Sequence, residues 1–401
     1  MTNEELMKQA VEMIEKGIIS TSALASGGKL NSEQADRFID YVFDETQLRG
    51  IVRLVRMRAE QYDIDKIGVG KRVAVPKNEG IDPGVRRGVN TSKVSLNKRA
   101  VMVPFELTEE FLEDNIEGMA AEDRVARMMG TQFANDLESM YLSGNVLGPA
   151  VVESDILEGG SSDYVKDKLL ALMDGWVKLA GAGHVLDVDS AGISSNVFSR
   201  MKKQLPTKYR RRLSQMRYFL PMDTEETYRN VLASRGTALG DQAIQNDQPI
   251  RAMGVPLQPL ALMESQPLKV AHVTLTGTTA QQLNGDKNIS DLVAHLQTLD
   301  STPTAPISGG DLTIDLAAGT IARSGGSSLP SPVNLKVSYR AQSEVLLCEG
   351  RNLVLGIGRD ITIKRDEDIF RDVKQWAMTV RVAVAVENDE AIVLAKNIAV
   401  E

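Results

Sequence analysis

From Gln61 to Arg99 the chain carries a net basic stretch in which Gly68, Gly70, Gly80, Gly84 and Gly88 interrupt every apolar run. No run grows long enough to bury the area that would offset the entropy of ordering it. An irregular segment of roughly forty residues is unusual inside a compact domain, where it is functional or disordered. The stretch is therefore predicted to find its packing surface outside itself, as an arm embracing neighbouring subunits. The residues after it narrow the choice. Lys93–Leu107 (KVSLNKRAVMVPFEL) reads as a returning strand with the apolar patch Ala100–Phe105. Thr108 then precedes Glu109 and Glu110, an acidic first turn that suits a helix N-terminus. From Met119 to Tyr141 the apolar set Val125, Met128, Met129, Phe133, Leu137 and Met140 recurs at three- and four-residue spacing, with Asp123, Arg124, Asn135 and Glu138 between. At ~1.5 Å per residue this helix stretches on the order of 35 Å. Ser143-Gly144-Asn145 closes it.

The 401 residues are 42% hydrophobic and 25% charged, enough for two or three cores. A net charge of −8 argues against a surface devoted to phosphate backbones, which needs clustered Lys and Arg. The single cysteine, Cys348, excludes an internal disulfide framework. With only His184, His272 and His295 beside it, no metal site and no cofactor is predicted. No apolar run approaches a membrane span of about 20 residues, and the acidic start MTNEELMKQAVEMIEK differs from the basic start of a signal peptide. A cytosolic origin is expected.

Two short helical patterns, Asn3–Lys16 and Ser32–Leu48, precede an alternating strand at Ile51–Met57. Beyond the long helix, a further helix is predicted from Ser161-Ser162-Asp163, with Val165, Leu169, Leu172, Met173, Trp176 and Val177 on one face. Strands at His184–Val188 and Arg217–Leu220 and helices at Ser194–Gln204 and Asp223–Ala233 make Ala180–Met263 a compact α+β unit. Asp223 and Glu226 stand at capping-box spacing, and Ser234–Gln248 reads as a loop. Leu268–Tyr339 changes character, to short β-patterned runs divided by Gly, Pro, Ser and Asn. Strands at Glu344–Cys348, Asn352–Ile357 and Ile361–Lys364 come next. Strict alternation over Lys374–Val386 predicts a long strand with one buried face, against which Ala391–Ala395 returns through Glu387-Asn388-Asp389.

This succession, with the helix ending in LSGN and the terminal block NLVLGIGRDITIKRDEDIFRDVKQWAMTVRVAVAVENDEAIVLAKNIAV, resembles the major capsid protein of tailed bacteriophages, the Hong Kong 97 fold. The blocks Lys93–Asn145 and Asn352–Val400 carry most of the resemblance. It implies an α+β chain divided into an N-terminal arm (1–60), an extended loop (61–99), a peripheral domain with a spine helix (100–179), an axial domain (180–267), an inserted β-rich domain (268–342), an axial return (343–365) and long peripheral strands (366–401). It implies self-assembly as hexamers and pentamers into an icosahedral virion shell around double-stranded DNA, formed in the host cytoplasm. Portal, scaffolding and decoration proteins would be its partners, with no membrane. The family's large N-terminal scaffolding segment has no counterpart ahead of the arm, so a separate scaffold or none is implied. Covalent cross-linking is not predicted: Lys66, Lys71 and Lys77 lie in the loop, but the matching Asn and Glu are not found. An encapsulin, a bacterial compartment shell of the same fold, is the alternative reading. The long insertion favours the virus.

The inter-subunit candidates are Lys71, Arg72, Arg86 and Arg87 on the arm, facing Glu109, Glu110, Glu113 and Asp114 at the foot of a neighbouring spine. The bland reading is a solvated loop, since exposed pairs contribute about 0.2–1 kcal/mol each. Tyr209-Arg210-Arg211-Arg212 is read as a solvated helix end rather than a DNA contact. Gly356-Ile357-Gly358-Arg359-Asp360 lacks the GxGxxG spacing and is read as a turn. Asp187 and Asp189 read as strand-end carboxylates, and no G-x-S-x-G elbow is present. No catalytic residue is predicted, and Cys348 is expected to be a small buried hydrophobe.

Overall fold

The computed structural model describes residues 18–19, 48–68, 74, 88, 90–110, 119–156, 160–234, 250–296, 307, 310–368 and 371–400. The helices expected at Asn3–Lys16 and over most of Ser32–Leu48, and nearly all of the loop Ser234–Gln248, lie outside them.

The spine helix spans Met119–Ser143. Phe133, Leu137 and Met140 are buried against a five-stranded sheet in the order Ile18–Ile19, Arg99–Thr108, Val373–Val386, Leu353–Asp368, Arg53–Arg56. Phe105 and Trp376, directly paired across two of these strands, stack with centroids 5.4 Å apart and ring planes 4° from parallel. Alternation along Val373–Val386 holds from Trp376 to Val382, but from Val382 onward Ala383 and Ala385 are buried as well. Both faces are covered there, because a second layer packs on the side expected to face solvent. The small alanines leave room for it.

The segment 161–177 departs from the single predicted helix. Tyr164–Lys166 is a strand paired with Ala150–Val152, Leu170–Leu172 is one 3-10 turn, and only Trp176–Ala180 is α-helical. Asp167 interrupts the run: its carboxylate accepts from the backbone N–H groups of Leu169 and Leu170 at 2.9 and 3.0 Å. Gly175 then packs directly on the end of the spine helix, since a Cβ there would lie 2.5 Å from the Leu142 carbonyl oxygen. Trp176 still reaches the core, donating from Nε1 to the Ala385 carbonyl at 3.1 Å.

A six-stranded sheet has the order Arg251–Ala252, Val255–Leu260, Met216–Pro221, Ser343–Glu349, Val393–Ile398, His184–Asp187. The last long strand therefore does not fold back on Val373–Val386 but crosses to this sheet, antiparallel to Ser343–Glu349 and parallel to His184–Asp187. Its composition requires an interior place. Leu394 joins the spine-helix core, while Val393 and Ala395 join a second core with Val197, Phe198 and Met201 of the helix Ser195–Gln204. Leu346 and Leu347 divide in the same way. The helix Met222–Ala233 begins after Pro221 with no side-chain cap, so the Asp223 and Glu226 box is not made. Asp223 accepts from Ser265 instead.

Residues 268–340 form two three-stranded antiparallel sheets around their own core of Leu275, Ile321, Leu335, Val337 and Tyr339. They make a β-domain with a hydrophobic core of its own. Leu353–Asp368 is one 16-residue strand of the five-stranded sheet. A boundary between residues 365 and 366 thus falls inside a strand, and the turn expected at Gly356–Asp360 is a bulged stretch of it.

Candidate assembly surfaces and the junction of the insertion

The basic arm is rooted more firmly than its glycines suggest. Gln61–Gly68 and Asn90–Asn97 pair antiparallel from Gln61↔Asn97 to Gly68↔Asn90. The ribbon lays Ile64 and Leu96, with Met57 from the approach to it, on Val354, Ala383 and Ala385, the second layer that covers the long strand. Close approach explains two glycines. A Cβ on Gly356 would lie 2.5 Å from the Met57 sulfur, and one on Gly358 would lie 2.2 Å from Cδ of Lys98. The arm thus pairs with itself over its root. Of the inter-subunit candidates, Lys71, Arg72, Arg86 and Arg87 at the arm's tip lie outside the described residues, as do Glu113 and Asp114.

Glu109 and Glu110 are placed at the end of Arg99–Thr108. Glu109 donates its backbone N–H to the Asp372 carbonyl at 3.1 Å and stands 3.8 Å from Lys374. The Asp372 carboxyl beside it raises the Glu109 pKa above the usual carboxylate range. At the same end of the sheet Arg371 pairs with Glu106 at 3.2 Å.

The sequence reading missed the most heavily buried ion-paired charges among the described residues. Lys269 of the insertion reaches Glu344 at 2.6 Å and Asp286 at 3.2 Å. Glu344 and Asp286 are 2% and 1% exposed. Lys396 approaches Asp286 at 3.5 Å and donates to the carbonyls of Asn284 and Gly285 at 2.7 and 3.0 Å. The Tyr339 hydroxyl donates to Asp286 at 2.8 Å. Burial drives the Glu344 carboxyl upward against the pull of Lys269. For Lys269 burial acts downward, but Glu344 and Asp286 outweigh it and hold the ammonium above the ordinary lysine value. Asn397 adds a neutral clasp, accepting from the Lys287 N–H at 3.0 Å and donating to Asp187 and the Gly285 carbonyl at 2.9 and 3.2 Å. Lys287 bridges Asp187 and Asp189, so these strand-end carboxylates are structural. Together these contacts fix the insertion to the six-stranded sheet beside a cavity of about 410 Å³ lined by Gly144, Val177, Met263, Val270 and Leu394.

Asn135 and Glu138, assigned by pattern to the polar face of the spine, are buried. Leu48 reaches Glu138, its N–H donating to Glu138 Oε1 at 3.4 Å. Burial raises the Glu138 pKa. Cys348 is fully buried, which pushes its thiol well above the usual range. Arg210 is turned onto the C-terminal end of the preceding helix Ser195–Gln204, donating Nε to the Leu205 carbonyl at 2.7 Å, while Arg211 and Arg212 are exposed. Among the described residues no group of three His, Cys, Asp or Glu could hold a metal, and no helix is long and apolar enough to cross a membrane.

No protein-family model matches the chain. A curated protein of Bacillus subtilis (strain 168), "Putative prophage capsid protein YqbE", is 24% identical over 383 residues, covering 95% of this chain and 96% of that one. The chain is thus similar, along nearly its whole length, to a prophage capsid protein. Solved capsid structures align over similar lengths. The capsid of an empty GTA particle has a TM-score of 0.49 and 13% identity over 95% of this chain and 100% of that one. The bacteriophage PhiM1 mature capsid gives 0.48 and 10% over 88% and 87%. The SrpI encapsulin of Synechococcus elongatus PCC 7942 gives 0.48 and 9% over 95% and 96%. The ionic junction lies where the β-domain of residues 268–340 meets the six-stranded sheet.

Proposed function

We infer that this capsid protein is the major subunit of a tailed-phage head, a structural protein whose copies close into an icosahedral shell around double-stranded DNA. The end-to-end alignment with the prophage capsid protein carries the reading. Its mechanism is mechanical. The ribbon roots the arm on the five-stranded sheet, so that the arm's tip projects as a clasp toward a neighbouring subunit, with Lys71, Arg72, Arg86 and Arg87 facing the acids around Glu109, Glu110 and Glu113. The spine helix and five-stranded sheet would serve as the peripheral domain, and the six-stranded sheet as the axial domain around the centre of each hexamer or pentamer. Assembly in the host cytoplasm, on a portal and with any scaffolding or decoration protein, completes the proposal. Catalysis has no part in it.

The test is charge reversal on the arm. Arg86→Glu with Arg87→Glu is expected to leave a folded, soluble subunit that sediments slowly, whereas the parent chain forms particles. Normal particles from the double variant would overturn the clasp. Nucleic acid inside the parent particles separates a phage head from a cargo compartment, and ultraviolet absorbance reads it directly.

A further inference from the structure

Cross-strand register places three basic side chains side by side on the insertion. Lys336 pairs with His272 on one neighbouring strand and with His295 on the other, so all three project from the same face of the sheet. That face is not the insertion's core, which is built from the alternate residues Ala271, Val273, Leu335 and Val337. The hairpin of Ala150–Val152 and Tyr164–Lys166 closes over part of it. The Ala150 N–H donates to the Ser338 hydroxyl at 2.9 Å, and Tyr164 meets the His295 ring edge-on at 5.8 Å. The hairpin brings a fourth basic group, because Lys166 is the register partner of Ala150. Its stem lies across Gly148, where a Cβ would come within 2.3 Å of Lys166 Cε.

Among the described residues neither Lys336 nor Lys166 makes an ion pair. The acids nearest Lys166 in sequence are engaged elsewhere, Asp167 on the N–H groups of Leu169 and Leu170 and Asp163 on the Ser161 hydroxyl. Lys336 is half-buried, and burial together with the Lys166 charge brings its pKa down to about 8. Burial and the charges of Lys336 and Lys178 likewise lower that of the exposed His272. Half-burying an ammonium beside another cation is costly unless a counter-charge arrives.

We propose that the seam between this sheet and the hairpin is a phosphate-binding site, with Lys336 and Lys166 supplying charge and His272 standing at its open side. A single carboxylate would neutralise one lysine. A phosphate, which carries up to two negative charges near neutral pH, matches the pair and leaves His272 as a further donor. The phosphate is either free in solution or part of a nucleic-acid backbone. This inference does not depend on the shell reading.

The test uses the full-length protein in chloride buffer at pH 7, with inorganic phosphate and a short DNA duplex as separate probes. Phosphate is expected to raise the thermal midpoint and to give a saturable heat of binding. Lys336→Met and Lys166→Met should each weaken binding roughly tenfold or more, the scale of one charge-assisted hydrogen bond. Lys208→Gln, remote from the seam, should not. Lys336→Met should also melt higher than the parent in phosphate-free buffer, which shows that it folds. The parent's phosphate response should fade as the pH rises through 8 to 9, because Lys336, with His272, His295, Tyr164 and Lys166 the titratable groups around it, then loses its proton. Duplex binding that is lost in the same variants assigns the site to backbone phosphates, and a response to phosphate alone assigns it to the free anion. A parent protein indifferent to both probes, or one whose phosphate response survives both lysine substitutions, overturns the proposal.

Discussion

Replacing Lys269 by Met would remove one charge from the junction of the insertion while keeping the length and apolar stem of the side chain. Glu344 would then keep no ion-pair partner, since its Oε1 pairs with Lys269 and its Oε2 has no hydrogen-bond partner. Asp286 would still have Lys396 at 3.5 Å and Tyr339 at 2.8 Å. Breaking a buried pair from one side costs about 3–5 kcal/mol, because the remaining charge stays desolvated. That magnitude is a large part of a typical domain stability of roughly 5–15 kcal/mol. Replacing both partners, Lys269→Met with Glu344→Leu, removes the stranded charge and should recover most of the loss, to within about 2 kcal/mol of the parent. Urea unfolding of the subunit, monitored by circular dichroism, measures all the corners of the cycle. Limited proteolysis should cut the Lys269→Met variant first in the insertion. A loss below about 1 kcal/mol in the single variant, or strictly additive effects, would show that the pair is solvated and that the junction does not depend on it.

Two further outcomes concern buried positions. Gly356→Val should destabilise by about 1–3 kcal/mol through overpacking against Met57 and Ala383, with Met57→Ala recovering part of it in a urea titration. Glu138→Gln keeps an oxygen for the Leu48 N–H and removes a charge that burial disfavours. The folded-state pKa of Glu138 is raised, so its carboxyl favours folding when protonated, and that contribution is lost as the pH rises through the folded value. The variant should therefore exceed the parent by about 1 kcal/mol at pH 7 and match it at pH 4; equal stability at both pH values would place Glu138 in solvent.

The elements most legible in the sequence were those with long, uninterrupted periods. Met119–Ser143 shows its helix through repeated three- and four-residue spacing, and Trp376–Val382 shows its strand through alternation. The β character of 268–340 was legible from the opposite signal, short β-patterned runs divided by Gly, Pro, Ser and Asn. Local pattern failed where a tertiary partner decides. Val165, Leu169, Leu172 and Trp176 imitate a helix face, yet Asp167 and Gly175 redirect the backbone onto the end of the spine. Residues 392–395 are apolar on both faces, a hint of an interior strand, but their sheet is chosen by the two cores they divide. The junction had almost no signal, because Lys269, Asp286, Glu344 and Lys396 are scattered through the second half of the chain. The one available clue was Glu344 at the head of an otherwise apolar strand. The arm's root was legible in one half only: Val94 and Leu96 fall in the expected strand Lys93–Leu107, whereas the glycines from Gly68 onward obscure the alternation of Tyr62 and Ile64 on the strand that pairs with it.

The most direct measurement is electron microscopy of particles formed by the purified full-length chain, with a reconstruction of the subunit in place. The account predicts closed icosahedral shells in which each arm extends over a neighbouring subunit and each insertion stays fixed to its six-stranded sheet. A chain that remains monomeric under all assembly conditions, or shells in which the arm folds back on its own subunit, would contradict it.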